Sequence, residues 1–194
     1  MPARFTKTPG GWYVADTAVV MADVQIGEDV SIWFGTVIRG DVAPITIGPR
    51  TNVQDLSLIH CDGGFPNHIG ADVTIGHGAI VHGVKVGDRA LIGMGARLLA
   101  QSVVGVEALV AAGAVVPPRM VVPARTLVAG VPARFIRKVT DQDLEYMRSL
   151  PPHYVRLAMA YASGEIEEGG RKLPGNPYPT DLVGDGLPGK GPPL

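Results

Sequence analysis

The sequence predicts a mainly β protein: a single-stranded parallel β-helix of hexapeptide repeats, followed by a C-terminal α-helix. Three observations carry the prediction. Aliphatic residues recur every six positions in trios: Ile26, Ile32 and Ile38; Ile47, Val53 and Ile59; Ile69, Ile75 and Val81; Val86, Ile92 and Leu98; Val104, Val110 and Val116. Glycine follows the aliphatic residue at Gly27, Gly48, Gly70, Gly76, Gly87, Gly93 and Gly105. After Val128 the six-residue phase stops and a helical pattern replaces it. A six-residue unit cannot bury its apolar side alone, so such units stack as short parallel strands around one aliphatic column, three units to a triangular coil.

Residues 1–17 hold Trp12 and Tyr13 but no repeat, and are expected to cap the open end of the column against edge-to-edge pairing. The β-helix domain is placed at 18–135, with Val20 opening a partial coil. The glycines after the inward residues are expected because a corner needs a backbone conformation that a β-carbon penalises. The period breaks at Ile38 to Ile47, Ile59 to Ile69 and Val81 to Val86. The first two breaks, RGDVAPIT and HCDGGFPNH, leave one corner and are expected to form loops, which on one face of a solenoid commonly build the binding site.

Leu98 to Val116 is apolar enough to suggest a membrane span, yet Gln101, Ser102 and Glu107 interrupt it while the six-residue phase persists. It reads as coils of the β-helix. Pro132 ends the regular coils, and Thr140 with Asp143 resembles a capping box opening a helical segment at 140–163. Two helical runs are expected there, DQDLEYMRSL stopping before Pro151 and Pro152, then HYVRLAMAYASG with Tyr154, Leu157 and Tyr161 on one side. The Gly- and Pro-rich segment 164–194 is expected to be an extended or mobile tail.

Net charge is -1, from 17 Lys and Arg against 18 Asp and Glu, with no basic run. This gives no electrostatic case for nucleic acid or an anionic membrane and leaves small, weakly charged substrates open. Cys61 is the single cysteine, which excludes an intrachain disulfide, and MPARFTKTPGG lacks the apolar core of a secretory signal. A cytoplasmic protein is expected.

Four of the five histidines lie between Val53 and Gly95. His60 follows Ile59 and His82 follows Val81, the third unit of successive coils, so both occupy one corner. Strands stacked about 4.8 Å apart let two such side chains converge on one ion. Arg39, after Ile38, extends the ladder downward. His77, two residues after Ile75, emerges elsewhere on the triangle, so a third ligand would come from a neighbouring subunit. Three imidazoles leave a fourth tetrahedral position for water, the pattern of a catalytic zinc site, where the metal lowers the water pKa to about 7. Cys61, within an insertion, is read as a free thiol rather than a ligand.

SIWFGTVIRGD, TNVQD, the IH of SLIHCD and IGHGAIVHG resemble the γ-class carbonic anhydrases and their close bacterial relatives, over roughly residues 12–162. The resemblance implies a left-handed coil and a homotrimer, with zinc, or else iron or cobalt, held by His60 and His82 of one subunit and His77 of the next. It implies that Gln54 holds the metal-bound water or hydroxide, that Arg39 and Asp41 pair between subunits, that Asp55 lies near the site and that Tyr154 reaches the pocket. The implied activity is reversible hydration of carbon dioxide to bicarbonate. The chain departs from active members at Val42, where they carry glutamate, and in the insertion from Cys61 to His68, which lacks their acidic loop and its proton-shuttle glutamate. Asp62 or His68, or solvent buffer, is the candidate replacement. Two other functions remain open: an acyltransferase or thioesterase acting on coenzyme A esters, to which the hexapeptide coil and GVPAR point, and a catalytically silent metal-binding trimer.

Overall fold

The computed structural model describes residues 5–166. In chain order its strands are β1 (Phe5–Lys7), β2 (Tyr13–Ala15), β3 (Val19–Ile26), β4 (Ser31–Ile32), β5 (Val37–Ile47), β6 (Asn52–Val53), β7 (Leu58–Ile59), β8 (Asn67–Ile69), β9 (Thr74–Ile75), β10 (Ile80–Val81), β11 (Lys85–Val86), β12 (Leu91–Ile92), β13 (Arg97–Leu98), β14 (Val103–Val104), β15 (Leu109–Val110), β16 (Val115–Val116), β17 (Val121–Val122), β18 (Thr126–Ala129) and β19 (Arg134–Lys138). Helix α1 (Asp141–Ala162) follows.

The aliphatic register organises the strands into three faces. One column runs Ile32, Val53, Ile75, Ile92, Val110 and Val128 through parallel pairs from β4 to β18. A second runs Ile38, Ile59, Val81, Leu98 and Val116. The third runs Ile26, Ile47, Ile69, Val86, Val104 and Val122. These side chains fill the interior, joined by a smaller residue two positions earlier in many units, such as Ala79, Ala90, Ala96, Ala108 and Ala114, to make one continuous core.

The glycines after the inward residues owe their place to a different cause from the expected one. Their φ angles are not positive; at Gly76 an added Cβ would lie 2.7 Å from the Met94 backbone nitrogen, because the next coil passes directly over it. The left-handed conformation falls two residues later, at Gly78 and Gly95 and at charged residues such as Arg50 and Asp72.

The first insertion also differs from expectation. RGDVAPIT does not leave as a loop; it continues β5 and pairs with β3, matching Met21 with Arg39 and Val24 with Ile45. Two adjacent extended segments satisfy each other's backbone N–H and C=O groups, which a lone loop would have to give to water. The second insertion does form a loop between β7 and β8.

At the start of the coil, β1 pairs antiparallel with β2 and sets the Phe5 ring 4.7 Å from that of Trp33. At the other end, β19 pairs antiparallel with β18. The capping box forms as read: Thr140 Oγ1 accepts from the Asp143 amide at 3.1 Å, and the Asp143 carboxylate accepts from the Thr140 amide at 2.8 Å.

Helix α1 then runs unbroken through Pro151 and Pro152, where two runs were expected. An interior proline costs about 3 kcal/mol. Burial of Leu144, Met147, Leu150, Pro151 and Ala158 against the coil offsets that cost. Tyr154, Leu157 and Tyr161 share the face that packs on Phe5 and Trp33. Among the described residues no helix is long and apolar enough to cross a membrane. The tail reading beyond residue 166 lies outside the described residues.

Candidate functional site

Pairing of Ile38 with Ile59 and of Ile59 with Val81 stacks Arg39, His60 and His82 at one corner. His60 Nδ1 lies 3.2 Å from His82 Nε2. Two ligands on one tetrahedral ion at metal–nitrogen distances of about 2.05 Å stand about 3.3 Å apart, so this pair already has the required bite. On its other side His60 Nε2 is 3.0 Å from Asp41 Oδ1. With that nitrogen protonated and donating to the carboxylate, Nδ1 keeps its lone pair for a metal.

Asp41 also accepts from Arg39 within the same chain. Burial raises the Asp41 pKa, but hydrogen bonds from Arg39 and His60 outweigh it and hold the carboxyl below its ordinary value. Asp62, on the second insertion, places Oδ1 3.9 Å from His82 Nδ1. Cys61 turns away from this corner; it is buried, its thiol points to the Ala43 carbonyl at 3.3 Å, and desolvation pushes its pKa up. A thiol held protonated is a poor ligand.

His77 stands at the next corner, two residues past the inward Ile75. Its Nδ1 donates to Asp55 Oδ2 at 2.7 Å, which leaves Nε2 as the nitrogen with a lone pair. Asp55 is itself fixed by the Phe34 amide at 3.2 Å. Gln54 Oε1 accepts from the His77 amide at 3.2 Å, and Gln54 Nε2 donates to Asn52 Oδ1 at 3.0 Å. Asn52 passes the chain on to Thr74 Oγ1 at 2.9 Å.

The sequence reading missed Asn52 and Thr74. Their signal was a pair of polar residues immediately before inward positions on one face, both buried here. Beside them opens a cleft of about 380 Å³ between the coil and α1, lined by Gln54, His77, Met94, Leu109 and Tyr154 among others. Tyr154 lines it, with its ring edge-on to that of Trp33 at 5.5 Å.

The candidate residues therefore fall in two groups on one chain: His60, His82, Arg39, Asp41 and Asp62 at one corner, and Gln54, Asp55, His77 and Tyr154 at the next. Among the described residues no group of three or more His, Cys, Asp or Glu is arranged to hold a metal ion within the single chain. His68 stands apart from both, with Nδ1 2.9 Å from Thr46 Oγ1.

Residues 68–100 match the family model of the bacterial transferase hexapeptide (six repeats), and the coil is the left-handed β-helix of that class. The carbonic anhydrase of Geobacillus kaustophilus is 43% identical over 158 residues, covering 80% of this chain and 87% of that one. The chain belongs to the γ-carbonic anhydrase family. The mitochondrial gamma carbonic anhydrase 2 of Arabidopsis thaliana is likewise 43% identical over 157 residues, which is 78% of this chain. The chain spans only 56% of the length of that plant member. Among solved structures, a putative acetyltransferase of Bacillus cereus superposes with a TM-score of 0.77 at 39% identity, over 81% of this γ-carbonic anhydrase-family chain and 92% of its own.

Proposed function

We propose that the chain is a γ-type carbonic anhydrase that hydrates carbon dioxide reversibly to bicarbonate, working as a homotrimer with its sites at subunit interfaces. The observation that carries the reading is the 3.2 Å separation of His60 Nδ1 and His82 Nε2, a metal bite with one chain supplying two of three ligands. His77, with its free nitrogen at a different corner, is the ligand for a neighbouring subunit's pair. Zinc suits three imidazoles, and iron or cobalt are the alternatives. A bound ion supplies Lewis acidity that brings the pKa of water to about 7.

The chain's own residues supply the rest. Asp41 and Asp55 hold His60 and His77 in the tautomers that leave one nitrogen free. Gln54, pinned by Asn52 and His77, keeps one donor and one acceptor site for the attacking water. Leu91, Leu109 and Met94 give the cleft apolar walls that admit carbon dioxide. Asp62, beside His82 and open to solvent, hands protons to buffer. Arg39 and Asp41 are exposed enough to reach a neighbouring subunit and are assigned to assembly. A single buried thiol suits a reducing compartment, and the cytoplasm is the proposed location.

The test is stopped-flow hydration of carbon dioxide by protein reconstituted separately with zinc, iron and cobalt. Gln54→Ala should lower kcat by about 10²-fold. Asp62→Asn should lower it only at low buffer and recover with added imidazole. His82→Ala should abolish metal binding and activity together. A metal-loaded protein that hydrates nothing would transfer the assignment to acyl transfer from coenzyme A. The Bacillus cereus neighbour titled a putative acetyltransferase is the observation that keeps this second reading, and acetyl coenzyme A binding would be its first check.

A further inference from the structure

The third corner of the triangle carries no histidine. Its left-handed residue is charged at every coil and alternates in sign: Asp29, Arg50, Asp72, Arg89, Glu107 and Arg125, with φ between 51° and 57°. Arg50 forks onto Asp72 through Nε and Nη2, each at 2.7 Å. Glu107 accepts from Arg89 Nε at 3.1 Å, Arg125 Nε at 2.7 Å and Arg148 Nη2 of α1 at 3.0 Å.

Four guanidiniums thus share the two carboxylates of Asp72 and Glu107 by hydrogen bonds, while Asp29 acts on Arg50 only through space. Asp88 makes no hydrogen bond to these guanidiniums; its Oδ1 accepts from the Ala71 amide at 3.0 Å. Among the described residues both terminal nitrogens of Arg89, and Nη1 of Arg50 and of Arg148, have no protein partner.

A cleft of about 310 Å³ opens between this corner and α1, lined by Arg50, Asp72, Arg89, Arg148, Pro151 and Pro152. The two prolines bring no N–H of their own and give the cleft a stiff apolar wall.

We propose that this cleft binds an oxyanion of the phosphate class, free or as a phosphate ester, on Arg50, Arg89 and Arg148. Guanidiniums grip phosphate oxygens through paired N–H groups, and the unused terminal nitrogens of Arg50, Arg89 and Arg148 supply such donors around the cleft. The cleft has room for an organic substituent beyond the phosphate. The site shares no residue with the metal centre.

The test titrates inorganic phosphate, and separately glycerol phosphate, into the full chain by calorimetry at an ionic strength held constant with chloride. Saturable binding is expected, and tighter binding of glycerol phosphate would identify an ester as the ligand. Arg89→Gln should weaken binding by about tenfold or more. Asp72→Asn frees the Arg50 fork and should tighten it several-fold, a gain that a purely structural ion ladder would not give. Should Arg89→Gln fail to fold, Asp72→Asn and Arg89→Lys decide the matter, the latter keeping the charge on Glu107 while losing the fork. Phosphate no tighter than chloride, bicarbonate binding as well as phosphate, or unchanged binding in Asp72→Asn would each overturn the proposal.

Discussion

His77 stands between two glycines that are needed for opposite reasons. At Gly76 an added methyl would meet the Met94 nitrogen at 2.7 Å, so alanine has to push one coil off the next. At Gly78 nothing stands within 4 Å, but φ is +67°. Gly76→Ala should therefore cost about 1–3 kcal/mol or more, and Gly78→Ala about 1 kcal/mol, both measured by urea unfolding. Equal costs would show that the close approach of the coils is not limiting. At the neighbouring Asp55, replacement by Asn leaves a single uncharged acceptor oxygen for two donors, the Phe34 amide and His77 Nδ1, and so loosens the hold on the His77 ring. Metal affinity should fall about 10- to 100-fold in competition with a chromophoric chelator. The shared corner of His60 and His82 was legible, because a six-residue period assigns each residue to a corner. The bonds from Gln54 to Asn52 and from Asn52 to Thr74 were not, since they depend on which rotamers meet across two coils.

Among the elements, α1 shows how local preference yields to packing. Pro151 and Pro152 read as a stop, and a solitary helix would stop there, yet the coil surface holds the helix through both. Exposed Pro152 contributes little to that surface, so Pro152→Ala should restore a helical hydrogen bond and raise stability by about 1 kcal/mol, seen as a higher Tm.

Two carboxylates tie α1 down. Arg148 above all lowers the pKa of Glu107, with Arg125 and Arg89 adding to it against the opposing effect of burial, and the group rests at about 2 rather than 4.5. Arg137 does the same for Asp143, with burial opposing and Thr140 assisting, to about 2 rather than 3.8. Both values are depressed on folding, so their stabilisation is complete above about pH 4.5 and is lost as pH falls toward 2. Glu107→Gln should lose on the order of 2 kcal/mol at neutral pH, allowing for the half-exposed arginines, and should flatten the stability profile across that acid window. Chemical unfolding at a series of pH values measures both.

For the whole molecule, the proposed sharing of an ion between the two corners would make metal binding and assembly interdependent. If the ion joins His60 and His82 of one subunit to His77 of another, a chelator should lower both Tm and assembled mass, and restored metal should recover them. Mass photometry with and without chelator checks this, and an unchanged trimer with the metal gone would separate assembly from the site.

By itself, the sequence determined the coil, its register, the capping box and the corners that His60, His77 and His82 occupy. These follow from a period of six and from contacts between near neighbours, which composition and spacing encode directly. Tertiary structure alone decided that RGDVAPIT pairs as a strand, that α1 passes its two prolines, and that the polar chain behind Gln54 closes. Each of these is a competition between a local tendency and partners brought up from a coil or more away, and its outcome depends on atoms that lie far apart along the chain.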